Sequence, residues 1–392
     1  MSGHRLWLVD HLLRDWVGHH LGYNNAIARA ASDAGVTVVL VGHRECEPSV
    51  ASEYNVSCAF RTDWRAAPPA WMSKDQRLLR VLEKLSAKRF RADLARWGLA
   101  VGPDDLVFAQ MIAPRHFDAW LGWFGNLRHP PRLAVHLGYQ PQRFDNGFAR
   151  DALRRLSPAH RERIFLVTDS EKLQEPFTLA LSARVSFLPH VVDWKFSDAT
   201  VVPSDRLSFL VPGNARKEKG FAELWQAVEM LGDLRGSRSI KFRVQCHQPD
   251  HFCASIVSGA GRSEGLELVR EPLEGAAYFR QFETADVVVI PYHLDHYAMR
   301  TSGVFCEART AGKPVVASRG SWAGDRVARE GGGWLCEEKN AADLADCLRA
   351  LPEQWPQEAR RAAEMQSGAR NEFGAASFVQ GLFSIAGWGV QK

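Results

Sequence analysis

The sequence has no apolar run long enough to cross a bilayer, no metal-type cysteine spacing and no strong charge of either sign. No stretch approaches the roughly 20 apolar residues of a spanning helix, and the first apolar run, Leu6–Val9, shows no signal peptide. The seven cysteines are scattered and lack any C-x-x-C pair, which argues against a disulfide framework or a zinc site. The formal net charge is only +4, so nucleic acid is not expected as a partner. We expect a cytoplasmic protein, soluble or peripheral at the inner membrane face.

What is present is a regular alternation of short apolar runs with helical patterns. At 392 residues the chain is too long for one core and predicts two domains. Each half begins with a strand, a helix and a strand, as a doubly wound parallel sheet does. The polar, irregular segment 194–206 is expected to be the hinge between the domains.

The strongest functional signal lies in residues 285–317. Val287–Ile290 has no polar alternation, which is typical of a strand covered on both faces. Pro291 closes this run, a polar loop follows, and a short helix then leads into a second apolar run, Val315–Ala317. The order strand, loop, helix, strand predicts a parallel crossover unit.

The start of that short helix has the features of a phosphate cradle. Thr301 and Ser302 are good N-cap residues, and Gly303 allows a ligand to approach the backbone. The helix N-terminus presents amides and a positive dipole end, which together favour a phosphate. Glu307 lies about one turn further, where a ribose would lie. The alternative is an ordinary cap with a solvated surface acid.

The letters PYHLDHYAMRTSGVFCEARTAGKPVVAS resemble the donor-site motif of retaining, family-4-type glycosyltransferases (glycosyl transferases group 1) with the GT-B fold. The resemblance implies an α/β protein with two Rossmann-like doubly wound domains facing each other across a cleft. It implies an acceptor-binding domain at 1–195 and a nucleotide-sugar donor domain at 203–375, with a C-terminal helix at 376–392 that crosses back to the first domain. The donor-binding positions that it implies here are Thr301, Ser302, Gly303, Val304 and Glu307, and Arg300 just before them is a further candidate for donor binding.

One position departs from the family pattern. The family usually carries a second Glu eight residues before Glu307, and this chain has Met299 there. Asp295, His296 and Arg300 are the local residues that could contact the sugar hydroxyls instead. This departure, together with Asn214 in the second motif below, leaves open a non-catalytic nucleotide-sugar binder or partner subunit. A nucleotide-sugar epimerase shares the architecture and is a lesser alternative, because the loops show no carboxylate set for proton abstraction.

A second motif lies at the strand-to-helix turn PGNARKEKGF, where three cations fall within four residues. This density suits a diphosphate leaving group, although a solvated charged turn is the alternative. The family pattern G-R-x4-K-G matches Gly213, Lys219 and Gly220, while Asn214 stands at its arginine position. The resemblance therefore implies Lys219 as the phosphate-binding lysine, with Arg216 as a displaced partner.

Two regions of the first domain are candidates for substrate contact. Gly18 precedes the first helix, where a donor phosphate could approach the backbone, and His19 and His20 follow it. Either histidine could contact substrate or simply cap or pack. His136 ends a predicted strand, and the resemblance implies a catalytic role for it near the transferred sugar. A core histidine bonded to a backbone carbonyl is the alternative.

The second domain offers two further donor contacts. His247 follows the predicted strand Phe242–Cys246. The resemblance implies that the loop after the strand Leu266–Val269, which contains Leu273, binds the base through backbone atoms.

For the remainder of the second domain, the sequence predicts one loop and two helices. The glycine-rich segment 320–333 is expected to be a loop near the ligand. Helical patterns fill 341–351 and 357–372.

The segment 74–97 is the most basic part of the chain. Its residues 74–96 carry eight Lys or Arg against three acids, with leucines at roughly helical spacing. Such a helix could contact an anionic membrane surface or a lipid-phosphate acceptor. The alternative is a solvated helix that buries one stripe.

Together these features predict retaining transfer of a sugar from a nucleotide-diphosphate sugar to a glycan, lipid-linked glycan or small-molecule acceptor. The cations and helix amides would stabilise the charge that develops on the departing diphosphate. We therefore expect no metal and no cofactor besides the donor substrate. The family is thought to transfer on one face, with the acceptor proton passing to the leaving phosphate.

Overall fold

A computed structural model of the chain describes residues 4–16, 19–61, 76–144, 148–194, 206–236, 239–259, 264–273 and 275–389. The chain forms two compact units. Unit 1 comprises Met1–Val191 together with Ala375–Lys392, and unit 2 comprises Val192–Gly374. Most of the predicted hinge, 195–205, lies outside the described residues.

Unit 1 is built on a seven-stranded parallel sheet with the order β3-β2-β1-β4-β5-β6-β7. The strand order reverses between β1 and β4, and ligands of open α/β sheets bind beyond the carboxyl ends at such a point. The central strands are uninterrupted apolar runs because helices cover both faces. The strands are β1 (Arg5–Val9), β2 (Thr37–His43), β3 (Val56–Phe60), β4 (Leu106–Ala109), β5 (Arg132–His136), β6 (Ile164–Thr168) and β7 (Val185–Phe187).

The sequence analysis did not identify β3, and its position explains why. It is an edge strand whose sequence, VSCAF, buries Val56 and Phe60 while Ser57 and Cys58 are exposed. Such a strand lacks the continuous apolar run of its central neighbours.

The helices of unit 1 that precede unit 2 in the chain are α1 (His19–Asp33), α2 (Pro48–Glu53), α3 (Gln76–Trp97), α4 (Pro114–Gly125), α5 (Phe148–Arg155), α6 (Pro158–Arg161) and α7 (Glu171–Leu181).

Unit 2 is built on a six-stranded parallel sheet with the order β10-β9-β8-β11-β12-β13. Its strand order reverses between β8 and β11, so the strand that directly precedes Pro291 lies at the switch point. The strands are β8 (Leu207–Val211), β9 (Ile240–Gln245), β10 (Leu266–Val269), β11 (Val287–Ile290), β12 (Val315–Ser318) and β13 (Gly333–Cys336).

The helices of unit 2 correct one prediction. The segment 320–333, expected to be a loop, contains a helix, α14, capped by Ser321, whose Oγ accepts from the Gly324 amide at 2.9 Å. A Cβ at Gly324 would lie 2.1 Å from the Ser318 carbonyl oxygen, so this glycine serves close packing rather than a loop. The helices are α8 (Phe221–Met230), α9 (Gly232–Gly236), α10 (Ala254–Gly259), α11 (Gly275–Glu283), α12 (Leu294–Tyr297), α13 (Gly303–Thr310), α14 (Trp322–Glu330) and α15 (Ala341–Glu372).

A second correction concerns α15. The two helices predicted at 341–351 and 357–372 form one continuous helix that includes Pro352 and Pro356. Each proline removes one backbone donor, which often ends a helix. Here buried residues on both sides of the prolines, such as Leu348 and Ala362, hold the two halves to the same unit.

The last helix, α16 (Ala375–Ala386), packs within unit 1. It buries Phe378, Val379 and Leu382 in the hydrophobic cluster that also contains Ile27 of α1. The ring centroids of Phe378 and Tyr23 lie 5.9 Å apart in an edge-to-face contact. The C-terminal segment thus contributes to the core of the N-terminal sheet.

Candidate functional site

The N-terminus of α13 follows the carboxyl end of β11 in unit 2. Ser302 caps it, because its Oγ accepts a hydrogen bond from the Phe305 amide at 3.2 Å. Ser302 is 3% exposed, so the cap is fixed in the core, while Gly303 and Val304 are partly accessible. The first amides of a helix lack intrahelical acceptors, which makes this end suited to an anion.

The loop from Gly213 to Gly220 lies against the same strand end. Gly220 has φ +67°, and a Cβ there would lie 1.9 Å from the Pro291 carbonyl oxygen, so only glycine allows this approach. Gly213 has φ +93°, and a Cβ there would lie 2.6 Å from Nζ of Lys219. The lysine is therefore folded back over its own loop. The two glycines bring Lys219 to the carboxyl end of β11.

Two residues outside the loop hold it in place. The Gln245 side chain accepts a hydrogen bond from the Gly213 amide at 2.7 Å, and Asp250 accepts one from the Lys217 amide at 2.7 Å. Burial alone would raise the pKa of Asp250, but the amides of Lys217 and Cys253 lower it. Sequence reasoning missed both residues. Their positions at and just after the end of β9 were the available signal, because loops at this edge of the sheet meet.

Lys219 is the most perturbed cation of this loop. The pKa of Lys219 is lowered to about 8, mainly by burial and then by Arg216; Arg300 adds to the decrease, while Glu307 and Glu218 oppose it. Its Nζ lies 5.7 Å from the Tyr292 ring centroid. A desolvated lysine with two arginines in its field forms a site that a diphosphate would neutralise.

Glu307 lies one turn into α13 and is held by a tyrosine. The Tyr278 hydroxyl, from α11, donates a 2.7 Å hydrogen bond to Oε2 of Glu307. Burial raises the pKa of Glu307 to about 7, while Tyr278 and Lys219 limit the increase. Sequence reasoning missed Tyr278, because nothing in α11 shows which side chain reaches a helix 29 residues further along.

The segment before Thr301 contains contacts of two kinds. The Arg300 guanidinium lies 5.4 Å from the Tyr297 ring centroid and within the field of Lys219. Asp295, in contrast, is 71% exposed in its side chain and forms a 2.9 Å ion pair with Lys339. His296 is also exposed. The structure therefore brings Arg300 to the cradle and pairs Asp295 elsewhere.

The remaining predicted donor contacts of unit 2 lie on neighbouring loops. Nδ1 of His247 lies 3.2 Å from the Arg270 carbonyl oxygen, so His247 joins the loop after β9 to the loop after β10. Leu273 is partly buried in that second loop. Gly18, the predicted contact in the first domain, lies outside the described residues.

His136 ends β5 in unit 1 and lies beside a buried carboxylate. Its Nε2 is 3.8 Å from Oδ1 of Asp169, whose Oδ2 is 3.7 Å from Nδ1 of His190. Burial alone would raise the pKa of Asp169, but the two histidines hold it well below its usual range. Neither Asp169 nor His190 was singled out from the sequence. The role of His136 toward a sugar stays a prediction.

His20 lies in a second buried network at the end of β1. Its Nδ1 is 2.7 Å from Oδ2 of Asp10, and Asn24 donates to the same oxygen at 2.9 Å. Burial alone would raise the pKa of Asp10, but His20 holds it well below its usual range. His20 is 7% exposed, so its observed contact is with the core.

The described part of the basic segment, α3, buries one stripe. Phe90, Leu94 and Trp97 face the core, whereas Lys88 and Arg89 are exposed. No helix within the described ranges is long and apolar enough to span a membrane.

The two parallel doubly wound sheets define an α/β protein with the GT-B fold, and its second unit carries the Ser302-capped helix and the Lys219 loop. Residues 206–354 match the family described as "Glycosyl transferases group 1". The resemblance predicted from the sequence is thereby confirmed for most of unit 2.

Known proteins show how far the similarity extends. The D-inositol 3-phosphate glycosyltransferase of Arthrobacter sp. (strain FB24) is 28% identical over 153 residues, which are 38% of this chain and 35% of that protein. The match thus spans about a third of that curated relative. Anabaena Alr3699/HepE, solved in complex with UDP-glucose, is 14% identical with a TM-score of 0.66, covering 97% of this chain and 98% of that one. Sucrose-phosphate synthase from Thermosynechococcus elongatus gives the same four values. These two solved structures support the fold of the whole chain.

Proposed function

We propose that the protein is a glycosyltransferase that moves a sugar from a nucleotide-diphosphate sugar to an acceptor with retention of configuration. One observation carries the proposal. Within unit 2, Gly213 and Gly220 bring Lys219 to the carboxyl end of β11, and the charges of Arg216, Arg300 and Glu307 act on this lysine. Glu307 lies on the Ser302-capped helix α13. This set provides cations for a diphosphate and an acid for a ribose.

In this proposal the chain's own groups stabilise the leaving group. Lys219 and Arg216 neutralise the charge that develops as the sugar–phosphate bond breaks, and the amides of Gly303 and Val304 bind a phosphate oxygen. The loop that carries Arg216 and Lys219 is fixed before the reaction, because the Gln245 side chain accepts a hydrogen bond from the Gly213 amide. The acceptor hydroxyl loses its proton to the leaving phosphate. We propose that these cations make a metal unnecessary, which predicts full activity with a chelator present.

The relatives suggest which substrates to test first. HepE was solved with UDP-glucose, and the curated relative is named for a phosphorylated inositol acceptor. We therefore propose a UDP-sugar as the first donor to test, with GDP- and ADP-sugars as comparisons. A glycan, a lipid-linked glycan and a phosphorylated polyol are the acceptor classes to test.

The experiment is a donor panel scored by thermal shift and by release of free nucleotide. Lys219→Ala and Glu307→Ala should weaken both signals about tenfold or more in donor concentration, whereas Lys217→Ala should keep them, because the Lys217 side chain lies over the exposed ring of Phe252 instead. A shift without release under any acceptor condition would favour the non-catalytic binder. No shift with any donor would refute the donor site. The anomeric configuration of the product, read by NMR, tests retention.

We also propose that α3 contacts an anionic membrane surface. Exposed Lys88, Arg89 and Arg96 lie on this helix together with Leu85, which is 48% exposed. Charge reversal of the three cations should abolish sedimentation with phosphatidylglycerol vesicles, whereas reversal of the exposed Arg154 on α5 should not. Equal sedimentation of wild type with neutral and anionic vesicles would contradict this proposal.

A further inference from the structure

A bound sugar donor would need acceptors for the hydroxyls of its sugar, beyond the groups that hold its diphosphate. Carboxylates are strong acceptors for this purpose because each carries two oxygens and makes charge-assisted hydrogen bonds. The segment that leads into the cradle, residues 296–304, contains no Asp or Glu. Apart from the flanking Asp295 and Glu307, an acid beside this segment must therefore come from elsewhere in the chain.

Glu218 is fixed close to that segment by its own backbone. It is the middle residue of the 3₁₀ turn Lys217–Lys219, and its carbonyl oxygen accepts a hydrogen bond from the His293 amide at 3.0 Å. This bond ties the turn to the residues that follow β11. The Glu218 side chain is 27% exposed, so a ligand can reach the carboxylate.

The Glu218 carboxylate lies among the groups of the cradle. Its Oε1 is 3.7 Å from a guanidinium nitrogen of Arg216. The Tyr297 ring lies under Arg300. The charges of Arg300, Glu218 and Arg216 all influence the pKa of Tyr297. The Glu218 carboxylate therefore lies beside Arg216, on a turn whose backbone is tied to the residues that follow β11.

The other acids near this segment have different partners. Oε2 of Glu223 lies 3.2 Å from Nε2 of His293, and Glu338 accepts a hydrogen bond from the Leu294 amide. Oε2 of Glu307 already accepts from Tyr278, and the residue lies one turn into α13 rather than at the loop. Asp295 is exposed and paired with Lys339. Of these carboxylates, Glu218 is the one within 3.7 Å of Arg216, which we propose to bind the phosphate.

We propose that Glu218 accepts hydrogen bonds from the hydroxyls of the transferred sugar and so distinguishes an intact sugar donor from the bare nucleoside diphosphate. The proposal rests on the proposed function, because it assumes that the cradle binds the diphosphate. The proposal requires that the transferred sugar has at least one free hydroxyl close to the sugar–phosphate bond.

The test compares the affinities of two ligands in two variants. Calorimetry would measure Kd for the preferred nucleotide-sugar and for its nucleoside diphosphate in wild type, in Glu218→Gln and in Asp295→Asn. In Glu218→Gln we expect the intact donor to bind about tenfold more weakly or worse. The bare diphosphate should bind equally well or more tightly, because a negative charge beside Arg216 has gone. Asp295→Asn should leave both affinities within twofold of wild type.

A donor analogue that lacks one sugar hydroxyl adds a second test. One such deoxy-sugar donor should bind wild type more weakly than the intact donor but bind Glu218→Gln equally well, since the contact is already absent. Equal weakening of both ligands in Glu218→Gln would overturn the proposal, because it would mean that Glu218 only shapes the phosphate loop. A selective loss in Asp295→Asn alone would also overturn it. If wild type binds neither ligand, the donor site itself fails.

Discussion

The affinity for an intact nucleotide-sugar should pass through a maximum between pH 7 and pH 8. Two groups in the cradle titrate at the edges of this window. The pKa of Lys219 is about 8 because of burial and the neighbouring arginines, and the lysine must be protonated to neutralise a diphosphate. The pKa of Glu307 is about 7, mainly because of burial, and the carboxyl must be ionised to accept strongly from ribose hydroxyls.

The size of the effect follows from these two values. Both phosphates of the donor are esterified, so its diphosphate adds no titration in this range. Above the pKa of Lys219 each pH unit lowers the affinity up to tenfold, which is about 1.4 kcal/mol of binding free energy. At pH 9 we therefore expect a loss of roughly tenfold. At pH 6, protonation of Glu307 should produce a loss of similar size, since one unit again separates the pH from the pKa.

Titration calorimetry in buffers of different ionisation enthalpy can separate the two limbs. Binding should take up protons near pH 8, where it favours the charged lysine, and release protons near pH 7, where it favours the carboxylate. Lys219→Met should flatten the alkaline limb, and Glu307→Gln should flatten the acidic limb. A wild-type affinity that is constant from pH 6 to pH 9 would refute the reasoning. The reasoning would also be refuted if the alkaline limb persisted in Lys219→Met or the acidic limb persisted in Glu307→Gln.

Three further perturbations test the structure. Tyr278→Phe removes a 2.7 Å hydrogen bond to Glu307 and should raise its pKa by about one unit, moving the acidic limb to higher pH; an unmoved limb would contradict the contact. Gly220→Ala places a Cβ 1.9 Å from the Pro291 carbonyl oxygen at φ +67°, so chemical denaturation should show unfolding free energy lowered by about 3 kcal/mol or more. Asp10→Asn should lower it by about 3 kcal/mol at pH 7. The carboxylate's pKa is depressed in the fold, so that difference should shrink as pH falls below about 4, and a pH-independent difference would contradict it.

The parallel strands of both sheets were predictable where they are buried on both faces. Val287–Ile290 and Leu106–Ala109 are short, continuous apolar runs, and such runs indicate strands that are covered on both faces. The edge strand Val56–Phe60 was not predictable in this way, because solvent on one side permits polar residues. The helix at 322–330 was missed because its flanking glycines signal turns, whereas Gly324 is required by a neighbouring backbone oxygen.

The cradle shows the same division. The cap at Ser302 and the glycines around Lys219 are local features, since capping and left-handed turns depend on a few consecutive residues. The partners of the site are not local. Tyr278 reaches Glu307 across 29 residues, and Gln245 reaches Gly213 across 32. No short-range pattern marks such contacts.

The sequence by itself determined the two α/β halves, the capped helix and the cationic turn. These depend on apolar periodicity and on the chemistry of neighbouring residues. Only the tertiary structure decided that Asp295 pairs with Lys339 while Glu218 lies beside the cradle, and that Lys219 and Glu307 titrate close to neutral pH. The physical reason is that desolvation and Coulomb interactions depend on distances through space, which the spacing along the chain does not contain.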